Sequence, residues 1–481
     1  MPINLPVRLL PIAEHWDCHG CGICCRHVII PLSSEEYQRI RDQGWDKDAE
    51  LAGRRLFVRM SLWKSQYRLA HRPDGFCVFL SPEGRCRIHE KFGPEAKPLI
   101  CRMFPYQLVP LDRFAYLTLR HNCPSVISRH GRSLEEQEDA WRPLVETDRF
   151  RIRSAPPPPL TATYRGSWNQ FLYVANCVER FLTDGRYPMV RRLAHTVAFA
   201  QLLDRCRLAQ LDAERFSDLI GLLERGVTKE VEPFFNERLP PHRTSQLVFR
   251  RCLIEYYRLH PGYRLETSWR GRLNWILASG SMAIGRGKIP ALADPSESLR
   301  IVPSRRSAGS FSPTDMGSGC DQSGQSETIT ETAGPVPESP SRGSATHSLS
   351  SPQAVTCDSP DWVDLAVLDK NLRAIHRDIL QPFDDYYETM AISKRYAVCG
   401  RRGWPLTDRI RALAMSFAAG LALLRLGCPE GKPTRDDVAA IVIALDRGET
   451  YQTLASPIYR RRLRVLDRTG ELIRLLLWYA R

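Results

Sequence analysis

The sequence predicts an α+β chain: a small mixed, cysteine-rich domain, then a mostly α-helical region interrupted by a disordered linker. Three observations predict it. Eight of the 15 cysteines fall between Cys18 and Cys123. Beyond residue 160, apolar residues recur at spacings of three and four, the period of a helix face. Residues 296–360 are rich in Ser, Pro, Gly and Thr, and such a segment buries too little apolar area to offset the entropy of ordering. The chain has 481 residues with 43% hydrophobic and 25% charged. At roughly 150 residues per domain that is about three folding units. The composition excludes collagen-like, wholly disordered and membrane-embedded classes.

The expected organisation is a cysteine-cluster domain over 1–150, a basic helical region over 160–295, the linker over 296–360 and a helical region over 361–481. In the first domain, His27-Val-Ile-Ile-Pro-Leu32 is a short β-type run. Ser33-Ser-Glu-Glu36 has the spacing of a capping box and predicts a helix through about Arg41. Cys77-Val-Phe-Leu80, the turn Ser81-Pro-Glu-Gly84 and Arg85-Cys-Arg-Ile88 predict a hairpin. Further strand is expected over 108–120, and Pro156–Pro159 is a stiff spacer. Helices are predicted over 168–182, 189–211, 245–259, 362–380, 408–426, 436–445 and 459–479. The longest apolar run, Ala412 to Leu424, is shorter than the ~20 residues a membrane span requires.

The formal charge is +14, concentrated in residues 151–300. The expectation is a solvated basic surface. No membrane partner is expected, a protein substrate is possible in principle, and nucleic acid is disfavoured without being excluded. Trp269, Arg270, Arg272 and Trp275 interleave aromatic and basic residues as a base-stacking surface would. At helical spacing the same set gives one buried and one solvated face, the expectation adopted here. The N-terminus lacks the long apolar core of a secretory signal. A cytoplasmic location with reduced thiols is therefore expected.

The chemistry lies in Cys18-His-Gly-Cys21-Gly-Ile-Cys24-Cys25, two overlapping CxxC steps ending in a doublet. A CxxC turn brings two sulfurs to one metal ion, and Gly20 and Gly22 permit the tight loop. Cys77 and Cys86 are expected as neighbours across the hairpin. His89 follows Cys86 at a CxxH spacing, and Cys101 and Cys123 complete the set. These eight thiols and one imidazole suit either two four-ligand sites or one larger cluster, holding zinc or iron, with [4Fe-4S] among the candidates. Arg26, Arg87 and Arg102 each follow a candidate ligand and could balance thiolate charge. His19 and His27 flank the loop. Gly280-Ser-Met-Ala-Ile-Gly285-Arg286 lacks the Lys-Ser/Thr pair of a phosphate loop, and no GxGxxG unit is present.

The C-x2-C-x2-CC start, Cys77-x-Phe-Leu80, Cys86-x-Ile-His89 and Pro98-x-x-Cys101-Arg-x-Phe-Pro105 together resemble the YkgJ-type cysteine-cluster family. That family is described as a zinc- or iron-chelating domain and is related to flagellin lysine-N-methylases. The likeness covers about residues 15–125. It implies that Cys18, Cys21, Cys24, Cys25, Cys77, Cys86 and Cys101 are chelating cysteines, with Cys123 a looser match. The compact spacing before the doublet follows the chelating branch. Three functions are weighed: a metal-chelating protein, a flagellin-type protein lysine N-methyltransferase using S-adenosylmethionine, and a zinc-stabilised protein that binds nucleic acid or an acidic partner.

Overall fold

The computed structural model describes residues 5–26, 28–60, 66–147, 155–263, 269–293, 362–372 and 375–481. His27 and the expected linker, 296–360, lie outside the described residues.

The N-terminal part is mixed α and β. β1 (Val7–Leu9) lies parallel to β6 (Ala115–Leu119), which pairs antiparallel with β5 (Tyr106–Pro110). Leu108 faces Leu117 across that pair, and Leu111 N donates to Phe114 O to close the turn between the strands. A second sheet has the order β2 (Pro31–Leu32), β4 (Tyr67–Leu69), β3 (Phe57–Arg59). The capping box at Ser33 forms as expected: Glu36 N donates to Ser33 Oγ, Ser33 N donates back to the Glu36 carboxylate, and α1 runs Ser34–Asp42. Short helices follow: α2 (Arg87–Phe92), α3 (Leu99–Met103), α4 (Pro124–Ile127) and α5 (Glu138–Val145).

The hairpin differs from expectation. It is reduced to one bridge between Leu80 and Cys86, and the chain then turns helical at Arg87. The second arm has one apolar side chain to bury, Ile88. A helical turn buries it beside Trp45 and Phe79 without a partner strand. Two small apolar clusters hold this part. One is built around Ile40, Trp45, Leu69 and Phe79, the other around Leu117, Leu119, Val126 and Trp141.

The rest is helical. α6 (Trp168–Thr183), α7 (Met189–Arg205), α8 (Ala213–Glu237), α9 (Arg243–Leu259) and α10 (Trp269–Ile284) precede β7 (Lys288–Pro290). β8 (Trp362–Asp364) pairs antiparallel with β7, so the helix expected over 362–380 starts late. Asp364 then caps a 3₁₀ turn over Leu365–Asp369 by accepting from Ala366 N. α11 (Arg377–Ile392), α12 (Arg395–Val398), α13 (Leu406–Gly427), α14 (Arg435–Thr450), α15 (Pro457–Arg468) and α16 (Glu471–Tyr479) complete the chain. The helix expected over 459–479 is split where Gly470 takes a positive φ of 71°. Helices from both sides of the undescribed segment share one apolar core. α13 is its axis: every residue from Leu406 to Leu426 is buried. By length and composition alone α13 could cross a membrane. Here its apolar surface is covered by α7, α9, α14, α15 and α16.

The arginines depart most from the expected solvated surface. Arg192, Arg250, Arg395, Arg401, Arg409, Arg411 and Arg425 are all buried. Guanidinium groups replace missing N–H donors at helix ends. Arg409 donates to the carbonyls of Cys399, Arg401 and Trp404, and Arg425 to those of Lys370, Tyr479 and Arg481. Asp408 accepts from Arg411, Arg460 and Arg464. Five fixed donors let one buried guanidinium satisfy several carbonyls at once. On α10, Trp275 stacks on Tyr257 at 5.8 Å between ring centroids while Trp269 is exposed, giving the two faces expected.

Candidate metal centre

The loop between Asp17 and Arg26 is fixed at both ends. Asp17 pairs with Arg132, and Arg26 donates to Pro261 O at 2.7 Å. Between them Gly20 and Gly22 adopt positive φ of 74° and 70°, a region that disfavours a side chain. A one-turn 3₁₀ segment, Ile23–Cys25, then buries Ile23 and presents the Cys24–Cys25 doublet. The turn Ser81–Gly84 lies directly against this loop. A Cβ at Gly84 would stand 2.6 Å from Gly20 O, so only glycine permits the approach.

That approach, with two backbone links, assembles the thiols from four chain segments. Cys77 N donates to Cys25 O at 2.8 Å, and Arg26 bridges Phe76. The Cys24 and Cys25 sulfurs stand 3.9 Å apart. Cys25 feels the charge of Cys24, Cys77 and Cys101; Cys101 feels Cys77, Cys24 and Cys86; Cys123 feels Cys21 and Cys24; Cys21 feels Cys24 and Cys18. Each of the eight thiols thus has another within electrostatic reach, and the charge of Cys24 reaches Cys21, Cys25, Cys77, Cys101 and Cys123. The charge of Cys86 is among the influences that raise Cys77. Among the described residues no three His, Cys, Asp or Glu side chains already stand in ligating geometry. The thirteen cysteines among them are free thiols. The thiols are thus gathered without being closed into a cage.

Electrostatics set the problem this gathering creates. Burial, helped by neighbouring sulfurs, pushes Cys21, Cys77 and Cys123 up to about 12 and Cys101 up as well. Cys24 moves the other way: its hydrogen bond with Cys25 favours the thiolate, and Lys97 and Arg447 add positive charge. Enclosed thiolates are costly without a cation. The donor set fits zinc or iron, since a bound divalent ion would supply that charge while four thiolates leave a net −2. Lys97 and Arg447 provide two matching positive charges.

Neither cation was evident in the sequence. Arg87 pairs with Glu50 and Arg102 with Glu95, so both are held at other carboxylates. Arg447 comes from α14, donating to Ile23 O at 3.4 Å and Leu259 O at 3.2 Å. Burial, then the Arg26 charge, lowers it to about 10, leaving it cationic at neutral pH. No local signal could have linked positions 23 and 447.

Two histidines separate. His19 shares a hydrogen bond with Ser125, tying the loop to α4 just past Cys123. His89 is exposed, because α2 turns Ile88 into the core and His89 away from it. Partial desolvation and the nearby Lys97 charge hold its imidazole below the usual range. Gly285, in the stretch compared with a phosphate loop, has another reason to be glycine. A Cβ there would fall 1.8 Å from the Arg250 guanidinium, which donates to Ile284 O.

Comparison with known proteins bears on this region. Residues 17–124 match a family model described as "CxxCxxCC: Putative zinc- or iron-chelating domain". An uncharacterized protein of Methanocaldococcus jannaschii is 25% identical over 247 residues, covering 48% of this chain and 79% of that relative. No solved structure matches. The stretch similar to a zinc- or iron-chelating domain contains all eight clustered thiols, and the match supports zinc or iron chelation there.

Proposed function

We propose that the protein chelates zinc or iron through Cys18, Cys21, Cys24, Cys25, Cys77, Cys86, Cys101 and Cys123. What supports this reading is that eight thiols from four chain segments lie within one another's electrostatic reach, with the charges of Lys97 and Arg447 beside Cys24. Cys24, the thiol shifted toward thiolate, is the pivotal ligand. His89, at the surface, is dispensable. All-sulfur ligation accommodates zinc and an iron–sulfur cluster alike.

The test is elemental analysis of the full chain purified without oxygen. Zinc or iron at one or more equivalents per chain is expected, lost in Cys24→Ser and retained in His89→Ala. Iron accompanied by acid-labile sulfide and a broad band near ~400 nm would assign a cluster; zinc without sulfide would assign a structural centre. A metal-free protein, or full occupancy in Cys24→Ser, would overturn the proposal.

A further inference from the structure

α10 packs on α9 and β7. Its inward face carries Ala278 and Met282, both buried, and Trp275, which stacks on Tyr257 and meets Tyr263 edge-on at 5.1 Å. The outward face, expected to be solvated, is apolar. Leu273 is 49% exposed, Ile276 66%, Leu277 62% and Ile284 64%. With Gly280 they recur at spacings of three and four, which places them in one stripe along the helix. Trp269 is exposed at the head of the same stripe. A Cβ at Gly280 would meet nothing within 4 Å, so the middle of the stripe is open as well. Single exposed apolar residues are ordinary, whereas a continuous row marks a surface that meets something apolar.

The charges beside the stripe have one sign. α10 contains no Asp or Glu. Arg272 flanks the stripe, and Arg286 and Lys288 follow the helix end. All three are exposed, and none forms an ion pair among the described residues. Asp364, opposite Lys288 across β7 and β8, is engaged at Ala366 N. An apolar row edged by cations matches a partner that is apolar within and anionic at its surface. A second copy fits poorly. Face to face, the three cations of one copy would approach those of the other, and the stripe is far smaller than the roughly 20–30 residues per side of a stable interface. Residues 303–360 fit poorly too: their large apolar side chains, Phe311, Met316, Ile329 and Leu349, stand singly among Ser, Pro and Gly and give no matching row.

We infer that α10 docks on an anionic phospholipid surface. The helix lies parallel to that surface, with Leu273, Ile276, Leu277 and Ile284 among the upper acyl chains and Arg272, Arg286 and Lys288 against lipid phosphates. The long Arg and Lys stems keep their charges at the headgroups while the apolar row is immersed. Such a peripheral contact needs no spanning segment, so the shortness of the run Ala412 to Leu424 does not bear on it.

The experiment is cosedimentation of the full chain with vesicles of phosphatidylcholine, with and without phosphatidylserine. Binding to the phosphatidylserine vesicles is expected, weakening as salt rises, with at least tenfold weaker binding to phosphatidylcholine alone. Ile276→Glu combined with Leu277→Glu is expected to abolish binding with Tm and circular dichroism unchanged, since both side chains lie at the surface. Arg272→Gln combined with Lys288→Gln is expected to weaken binding at least tenfold, and decides the matter should the first variant not fold. No binding by the full chain, equal binding to both vesicles, or undiminished binding in either folded variant would overturn the inference. So would a dimer in light scattering that the two Glu substitutions dissolve, which would give the stripe to a second copy. Binding seen only once residues 303–360 are removed would give it to that segment and overturn the inference equally.

Discussion

The cysteine-bearing part and the helical part solve the same problem with different means. The first has two small apolar clusters and short strands, and it depends on glycine turns and gathered sulfurs for its shape. The second buries one large continuous core around α13 and satisfies its helix ends with interior arginines. A small unit buries too little apolar surface to be secure alone, whereas a large one does not need a staple. The difference predicts that ligand binding sets stability in the first part and packing in the second.

The largest effect should come from Gly84→Ala. The new methyl group meets the Gly20 carbonyl, separates the loop from the turn, and is expected to remove bound metal. Structural zinc is worth roughly 10–16 kcal/mol of folding free energy in small zinc domains. The N-terminal part should therefore lose protection in hydrogen exchange while the helical amides keep theirs. Uniform loss across both regions would erase the contrast.

Next is Asp446→Asn. Asp446 is fully buried, accepts from Arg120 and Arg395, and is held well below the usual carboxylate range by those two cations against the cost of burial. Removing its charge leaves half-buried Arg120 without its carboxylate and buried Arg395 with Glu449 alone. The expected cost is about 3–5 kcal/mol in denaturant unfolding, falling on the helical part.

A smaller effect concerns Glu14, whose carboxyl is raised by burial to about 7. A carboxyl that holds its proton more tightly when folded adds stability at low pH and loses it as pH rises. The loss should run from about pH 4.5 to about pH 7 and amount to roughly 3 kcal/mol. Glu14→Gln should flatten that stretch of the stability–pH curve. An unchanged slope would refute the burial argument. The smallest effect is Ser33→Ala, expected to cost about 1 kcal/mol through loss of the α1 cap.

Legibility in the sequence followed the range of the determining interaction. The α1 cap, α6 and α7 rest on neighbouring residues, and Ser33 and the apolar spacing announced them. The α+β character and the cysteine cluster were legible for the same reason. What escaped was set by distant partners. Trp362–Asp364 reads as helix until β7 offers an edge to pair with. The excess of arginine reads as surface charge until Arg409 and Arg425 find buried carbonyls. Lys97 and Arg447 could not be chosen over Arg87 and Arg102, because the choice depends on Glu50 and Glu95 being close enough to engage the latter pair. Glu14 carried no motif at all; only folding reveals that one of its oxygens is left unserved.

Asp446 and Arg447 are consecutive, yet they reach in two directions. The first grips Arg120 beyond β6, the second the backbone of the cysteine loop at Ile23. One turn of α14 thus acts as a clasp whose two prongs are opposite in charge. Whatever displaces that turn must disturb the sulfurs and the strand end together, so events among the helices would be felt at the thiols without passing through the intervening sequence.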